Sequence, residues 1–278
     1  MTLDTFPPLS NWAPTRDTLS HYATAVGVVP RALSEPHPKW WHISLKVQEH
    51  GAATDPIPHP KSSGVTFQLL MNLSTHTVDI STSEADTRSL SMTEGLSSTE
   101  FGDRLLSMLD ELGIEAEFER EKFENDDPRS YDPLAASAFG EILFKSAQVL
   151  EHHRSGLSGE TGPLQLWPHN FDLAFEWFGK RLIPHGEGAD AQEIPAQINF
   201  GLAPGDSSHE ETYFYSNPWP FEESLVDHKL PGSARWFTGS WQGTLLPYKD
   251  IVGDEAGEEV LAAYLRAVYD IASPLLNE

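Results

Sequence analysis

Apolar and polar positions alternate between two periods along this chain, and the changes of period predict its elements. Leu19, Tyr22, Ala23 and Val26 recur at helical spacing, which predicts a helix over 15–33 that Gly27 or Pro30 would end. Residues 40–47, WWHISLKV, alternate Trp41, Ile43, Leu45 and Val47 with Trp40, His42, Ser44 and Lys46. That period of two predicts a half-buried strand with His42 on its polar face. Residues 49–64 are rich in Pro, Gly, Ser and His and predict a loop. Residues 65–73, 77–83 and 87–92 predict three more strands. Ser97 and Glu100 have the spacing of a capping box, and Phe101, Leu105, Leu109 and Leu112 then repeat at helical spacing up to Gly113. A strand over 115–119 and a charged loop over 120–131 follow.

Asp132 and Pro133 open a second long helix, with Leu134, Ala138, Ile142, Leu143, Ala147 and Leu150 as its stripe. Residues 163–179, PLQLWPHNFDLAFEWFG, read as one aromatic strand. Trp167, His169, Phe171, Leu173, Phe175 and Trp177 fall on one face, and Asn170, Asp172, Ala174 and Glu176 on the other. Further strands are predicted over 197–202, 212–216 and 243–248, with NPWPF interrupting after 216. A helix over 258–276 closes the pattern. The order helix, four strands, helix thus occurs twice. The expected fold class is α+β: a single domain, 1–278, built of two αββββα-like halves, 12–119 and 131–278, around mostly antiparallel sheets, with an internal pseudo-twofold as a corollary.

Composition narrows the function classes. The 278 residues carry 42 acidic and 18 basic side chains, for a formal net charge of −24, and no cysteine. So negative a field repels phosphate backbones and anionic lipid, which argues against nucleic-acid and membrane-surface binding. The missing thiols exclude disulfides, thiolate zinc sites, iron–sulfur clusters and a cysteine nucleophile. MTLDTFPPLSNW has no basic or apolar signal region, and no apolar run approaches the length of a membrane span. A soluble cytoplasmic protein is expected.

No phosphate loop, dinucleotide fingerprint, zinc-protease helix or nucleophile elbow is present. The Gly-rich stretch at 185–190, HGEGAD, is acidic and reads as a surface loop. Candidate chemistry rests on histidine and on carboxylates set among large apolar groups. His169 is flanked by aromatics on the apolar face. Asp172 and Glu176 project from the opposite face, where partial burial would raise their pKa values and suit an acid or base. Spacing of three puts His169 and Asp172 on opposite faces, so they would not chelate one ion, and no metal site is expected. No residue pattern in the chain identifies a cofactor. Trp219, between prolines in the aromatic loop at 213–221, suits a flat ligand or a partner surface.

Trp12 and Thr15, WWHISL (40–45), LSTHTVDISTS (73–83), GPLQLWPHNFDLAFEWFGKR (162–181), FGLAPGD (200–206), YFYSNPWP (213–220) and LLPY (245–248) together resemble, in order and spacing, a bacterial family of domains of unknown function, DUF5996. The resemblance implies a single cytoplasmic domain of this length and carries no assigned activity. The chain departs from the family pattern at Gln165, where the pattern has His. It departs again at Pro195 and Ala196, where the pattern has a His-Glu pair, and in the first helix, at Ala25 or Thr24 and at Val28, where the pattern has Gln and Lys. The first expectation for function is a cleft for a small molecule or partner, lined by Trp40, His42, Trp167, His169 and Trp219. The alternatives are a hydrolase-like enzyme using His169 with Asp172 or Glu176, and an interaction module, homodimeric in one form, using the loop at 213–221.

Overall fold

The first helix, α1 (Ala13–Leu33), runs straight through Gly27 and Pro30, the two residues expected to end it. Gly27 is required there for space, because a Cβ would lie 2.8 Å from the Pro168 ring. The computed structural model describes residues 5–186, 192–206 and 209–278. After α1 come a 3₁₀ turn (Trp41–Ile43) and the strands β1 (Lys46–Gln48), β2 (Gly51–Ala53), β3 (Ile57–Pro58), β4 (Thr66–Asn72), β5 (Thr77–Thr82) and β6 (Thr87–Ser91). Helices α2 (Ser98–Glu111) and α3 (Pro133–Ser155) follow. Then come β7 (Glu160–Thr161), β8 (Gln165–Trp167), β9 (Asp172–His185), β10 (Gln192–Ala203), β11 (Tyr213–Trp219), β12 (Arg235–Thr238), β13 (Gln242–Pro247) and α4 (Gly257–Ala272).

The described residues thus form an α+β fold of four α-helices and two antiparallel sheets. Six and then seven strands lie between the paired helices, not four and four. The chain divides into two units, one of residues 9–144 and 165–172, the other of 1–8, 145–164 and 173–278.

In the first unit the sheet order is β1-β2-β4-β5-β6, with β3 also on β4. β4 alternates as its sequence predicts, with Phe67, Leu69 and Met71 buried. α1 and α2 contribute Leu19, Tyr22, Val26, Phe101, Leu105 and Leu109 to the core. The Tyr22 ring stacks on Phe101 at 3.7 Å, and its hydroxyl donates to the Leu96 carbonyl. The capping box forms as expected: the Glu100 amide donates to Ser97 Oγ and the Ser97 amide to the Glu100 carboxylate.

In the second unit the sheet order is β12-β13-β11-β10-β9-β7. Phe175, Phe200, Ser216, Thr244 and Trp236 form one row across it, each opposite the next in register. α4 buries Leu261, Tyr264, Leu265 and Val268, and the Tyr264 hydroxyl is hydrogen-bonded to Thr244 at 2.7 Å. His153 of α3 is only 6% exposed and lies against Phe200, Phe175 and Tyr269.

Several expectations fail for identifiable reasons. Residues 40–45 are not a strand: Trp40 takes a left-handed φ of 61°, the chain turns through the 3₁₀ helix, and the Ser44 amide closes that turn on the Trp41 carbonyl. The long aromatic strand is broken at 168–171, where Phe171 has φ 54°. His169 therefore lies exposed in a turn, not on an apolar strand face. No strand forms over 115–119, which is mostly solvent-exposed. The 49–64 segment holds β2 and β3, and a 3₁₀ turn (Arg120–Lys122) lies in the charged loop. NPWPF does not interrupt β11, which continues to Trp219. The strand β12 was not anticipated. Of the stretch 185–190, positions 187–190 lie outside the described residues.

Candidate functional site

Among the described residues, aromatic and polar groups gather in both units. In the first unit, Leu45 and Leu166 exchange backbone hydrogen bonds of 2.9 Å in an isolated antiparallel bridge. This joins the segment of Trp40 and His42 to that of Trp167 and His169. The Arg31 guanidinium lies 4.8 Å over the Trp40 ring, His42 stacks beside that ring at 5.6 Å, and His37 stacks on Trp41 at 4.4 Å. Trp40 nevertheless remains 51% exposed. The His37 amide donates to His42 Nδ1 at 3.2 Å, which leaves the ring proton on Nε2 in the neutral tautomer. Burial, then Arg31 and His37, hold the His42 pKa below its usual value. Trp167 and His169 meet edge to face at 6.0 Å.

Sequence reasoning missed a polar cluster at the same bridge, made of buried Ser44 and Gln165 with the half-buried Lys46. Ser44 Oγ donates to the Gln165 side-chain oxygen, and Lys46 Nζ reaches the same oxygen at 3.1 Å and Ser44 Oγ at 3.2 Å. Cross-strand pairing beside Leu45–Leu166 could have suggested it, but the bridge itself is not legible in the sequence.

Trp219 and Glu176 belong to the second unit, and Asp172 is the last residue of the first. Trp219 lies at the end of β11, its ring 6.5 Å from that of His185. Asp172 and Glu176 are half-buried in β9.

The better-formed concavity is in the second unit. A groove of about 660 Å³ is lined by Phe221, Glu223, Ser224, Val226, Asp227, Trp236, Thr238 and Gln242. Period two builds one wall. Trp236 and Thr238 alternate out of β12 on one face, with Gln242 opposite Thr238 across the hairpin. Phe237 points the other way, into an aromatic cluster with Trp241. Gly243 is fixed by crowding, since a Cβ there would stand 2.2 Å from the Ser216 carbonyl. The other wall is a 3₁₀ helix (Glu223–Asp227) anchored by the buried Leu225. The Trp236 indole N–H donates to the His228 carbonyl at 2.8 Å, and Phe221 meets Trp236 edge to face at 6.1 Å, so the aromatic wall is pinned. Glu222 is held by Arg181 at 2.6 Å. Among the described residues, the carboxylates of Glu223 and Asp227 have no ion pair or hydrogen bond.

A second cavity of this unit, about 460 Å³, lies beside the β-bulge at Pro195–Gln197 and is lined by Trp177, Lys180, Tyr269 and Asn277 among others.

Residues 6–277 match the model of the Family of unknown function (DUF5996). The chain belongs to DUF5996. No curated protein and no solved structure matches it. The family supplies no activity, so the function of this DUF5996 chain is argued from its own geometry. No helix among the described residues is long and apolar enough to cross a membrane, and no group of three or more His, Asp or Glu among them is placed to hold a metal ion.

Proposed function

We propose that this DUF5996 protein is a cytoplasmic binder of small organic molecules and that the groove between the 3₁₀ helix and the β12–β13 hairpin is its binding site. The observation that carries the reading is the groove itself. Its volume of about 660 Å³ lies within the range of ligand sites, roughly 300–1,000 Å³. It joins two immobilised aromatic rings to a few polar groups, the usual composition of such a site. Binding is favoured over acid–base catalysis because His169 stands in an exposed turn and not in a concavity with Asp172 or Glu176.

Ligand-observed NMR with a library of small aromatic fragments tests this. Hits are expected on the wild-type chain and are expected to weaken in Trp236→Ala. Hits that bind the variant equally well place binding elsewhere, and the absence of hits removes the reading.

A second reading rests on Trp40. A half-exposed indole, held in a strained backbone conformation beneath an arginine, has the composition of a contact residue for a partner or flat ligand.

A further inference from the structure

We propose that the ligand of the groove is an organic ammonium ion, an aromatic or alkyl group carrying a protonated amine. This rests on the reading of the groove as a binding site and adds the charge of what it takes.

Glu223 and Asp227 line the same concavity as Phe221 and Trp236, four residues apart on one 3₁₀ helix. Their neighbour Glu222 has its cation, Arg181. No lysine or arginine lines the groove, although Lys229 and Arg235 flank its two walls in sequence. Both carboxylates are exposed on the groove and unpaired among the described residues, so a cation bound there gains their attraction. A bare metal ion fits less well, because among the described residues no group of three or more His, Asp or Glu gathers there to hold one, and it would leave the aromatic rings unused. An ammonium group on an apolar body suits both halves of the site. Its charge meets the carboxylates and the Trp236 ring, the best of the aromatic faces for a cation, while its body packs on Phe221. Ser224 and Gln242 offer further acceptors for N–H donors. The net charge of −24 raises the local concentration of such cations over the surface.

Isothermal titration of the full chain with three isosteric probes tests the proposal: phenethylammonium, phenethyl alcohol and phenylpropionate. The ammonium is expected to bind about tenfold more tightly than the alcohol, and the carboxylate more weakly than either. The double variant Glu223→Gln, Asp227→Asn changes only exposed side chains and should keep the fold, as circular dichroism would verify. It should remove the tenfold preference while leaving alcohol binding in place. Equal affinity for ammonium and alcohol, both weakened by Trp236→Ala, would overturn the charge assignment and leave the groove reading standing. Ammonium binding unchanged in the double variant would also overturn it. Failure of all three probes to bind below about 10 mM would overturn both.

Discussion

Trp40 holds a backbone angle that glycine adopts without cost and a bulky residue does not. What offsets the strain is the side chain's own contact, since Arg31 covers the ring and His42 stacks beside it. Two substitutions separate the terms. Trp40→Ala keeps the strained angle and loses the cation–π contact, so urea denaturation should show a loss of about 1 kcal/mol. Trp40→Gly loses the same contact but relieves the strain, and should come out more stable than the alanine variant by about 1 kcal/mol. Equal stabilities would mean that the angle relaxes.

His153 carries a second residue-scale consequence. Burial, then Arg266 and His152, push its pKa down to about 4 from an ordinary 6.5. The unfolded chain therefore takes up a proton as pH falls through 6.5, while the folded chain resists until about 4. This contribution is fully present above pH 6.5 and is lost progressively down to about pH 4, amounting to about 3 kcal/mol. Replacing His153 by Leu should flatten this part of the stability profile, measured as the difference between wild type and variant at neutral and acid pH. The difference isolates His153 from the carboxylates, which titrate in both proteins. A profile unchanged by the substitution would show that the imidazole is hydrated in the folded chain.

At the scale of elements, the parts legible in the sequence are those whose signal is local. The α2 capping box needs only Ser97 and Glu100 in register, and β4 needs only Phe67, Leu69 and Met71 on one face. Ser97→Ala should cost about 1 kcal/mol and speed amide exchange in the first turn of α2 while leaving α4 unchanged. Uniform acceleration across both helices would mean that the box does not act locally. The misread elements turn on single dihedrals. WWHISLKV alternates like a strand, yet the left-handed Trp40 bends it. PLQLWPHNFDLAFEWFG alternates like a strand, yet the left-handed Phe171 breaks it and brings His169 to the surface. Neither is glycine, and Pro168 and Asn170, which do favour a turn, stand inside an otherwise alternating aromatic run. The groove was hidden for a related reason. β12 is a four-residue edge strand, too short for a periodic signal. Glu222 and Glu223 look alike in sequence, and only the distant Arg181 makes one of them paired and leaves the other facing the groove. The bridge of Leu45 to Leu166, which ties the Trp40–His42 segment to the Trp167–His169 segment, is a long-range pairing that no local pattern carries.

At the scale of the molecule, charge dominates. A formal net charge of −24 opposes compaction, and many of the ion pairs are solvent-exposed pairs that contribute little. Raising sodium chloride from about 0.01 M to about 0.15 M shortens the screening length to about 8 Å. The melting temperature should rise by a few degrees over that range, and a fall would mean that attractive pairs outweigh the repulsion.

The central claim is that a small organic cation sits against Trp236. The indole N–H region of a proton–nitrogen correlation spectrum addresses it directly, since the chain has eight tryptophans and Trp236→Phe identifies one resonance by its loss. Titration with phenethylammonium is predicted to move the Trp236 resonance progressively and to saturate, with phenethyl alcohol moving it far less. A shift confined to Trp40, or no indole shift at all, would contradict the account.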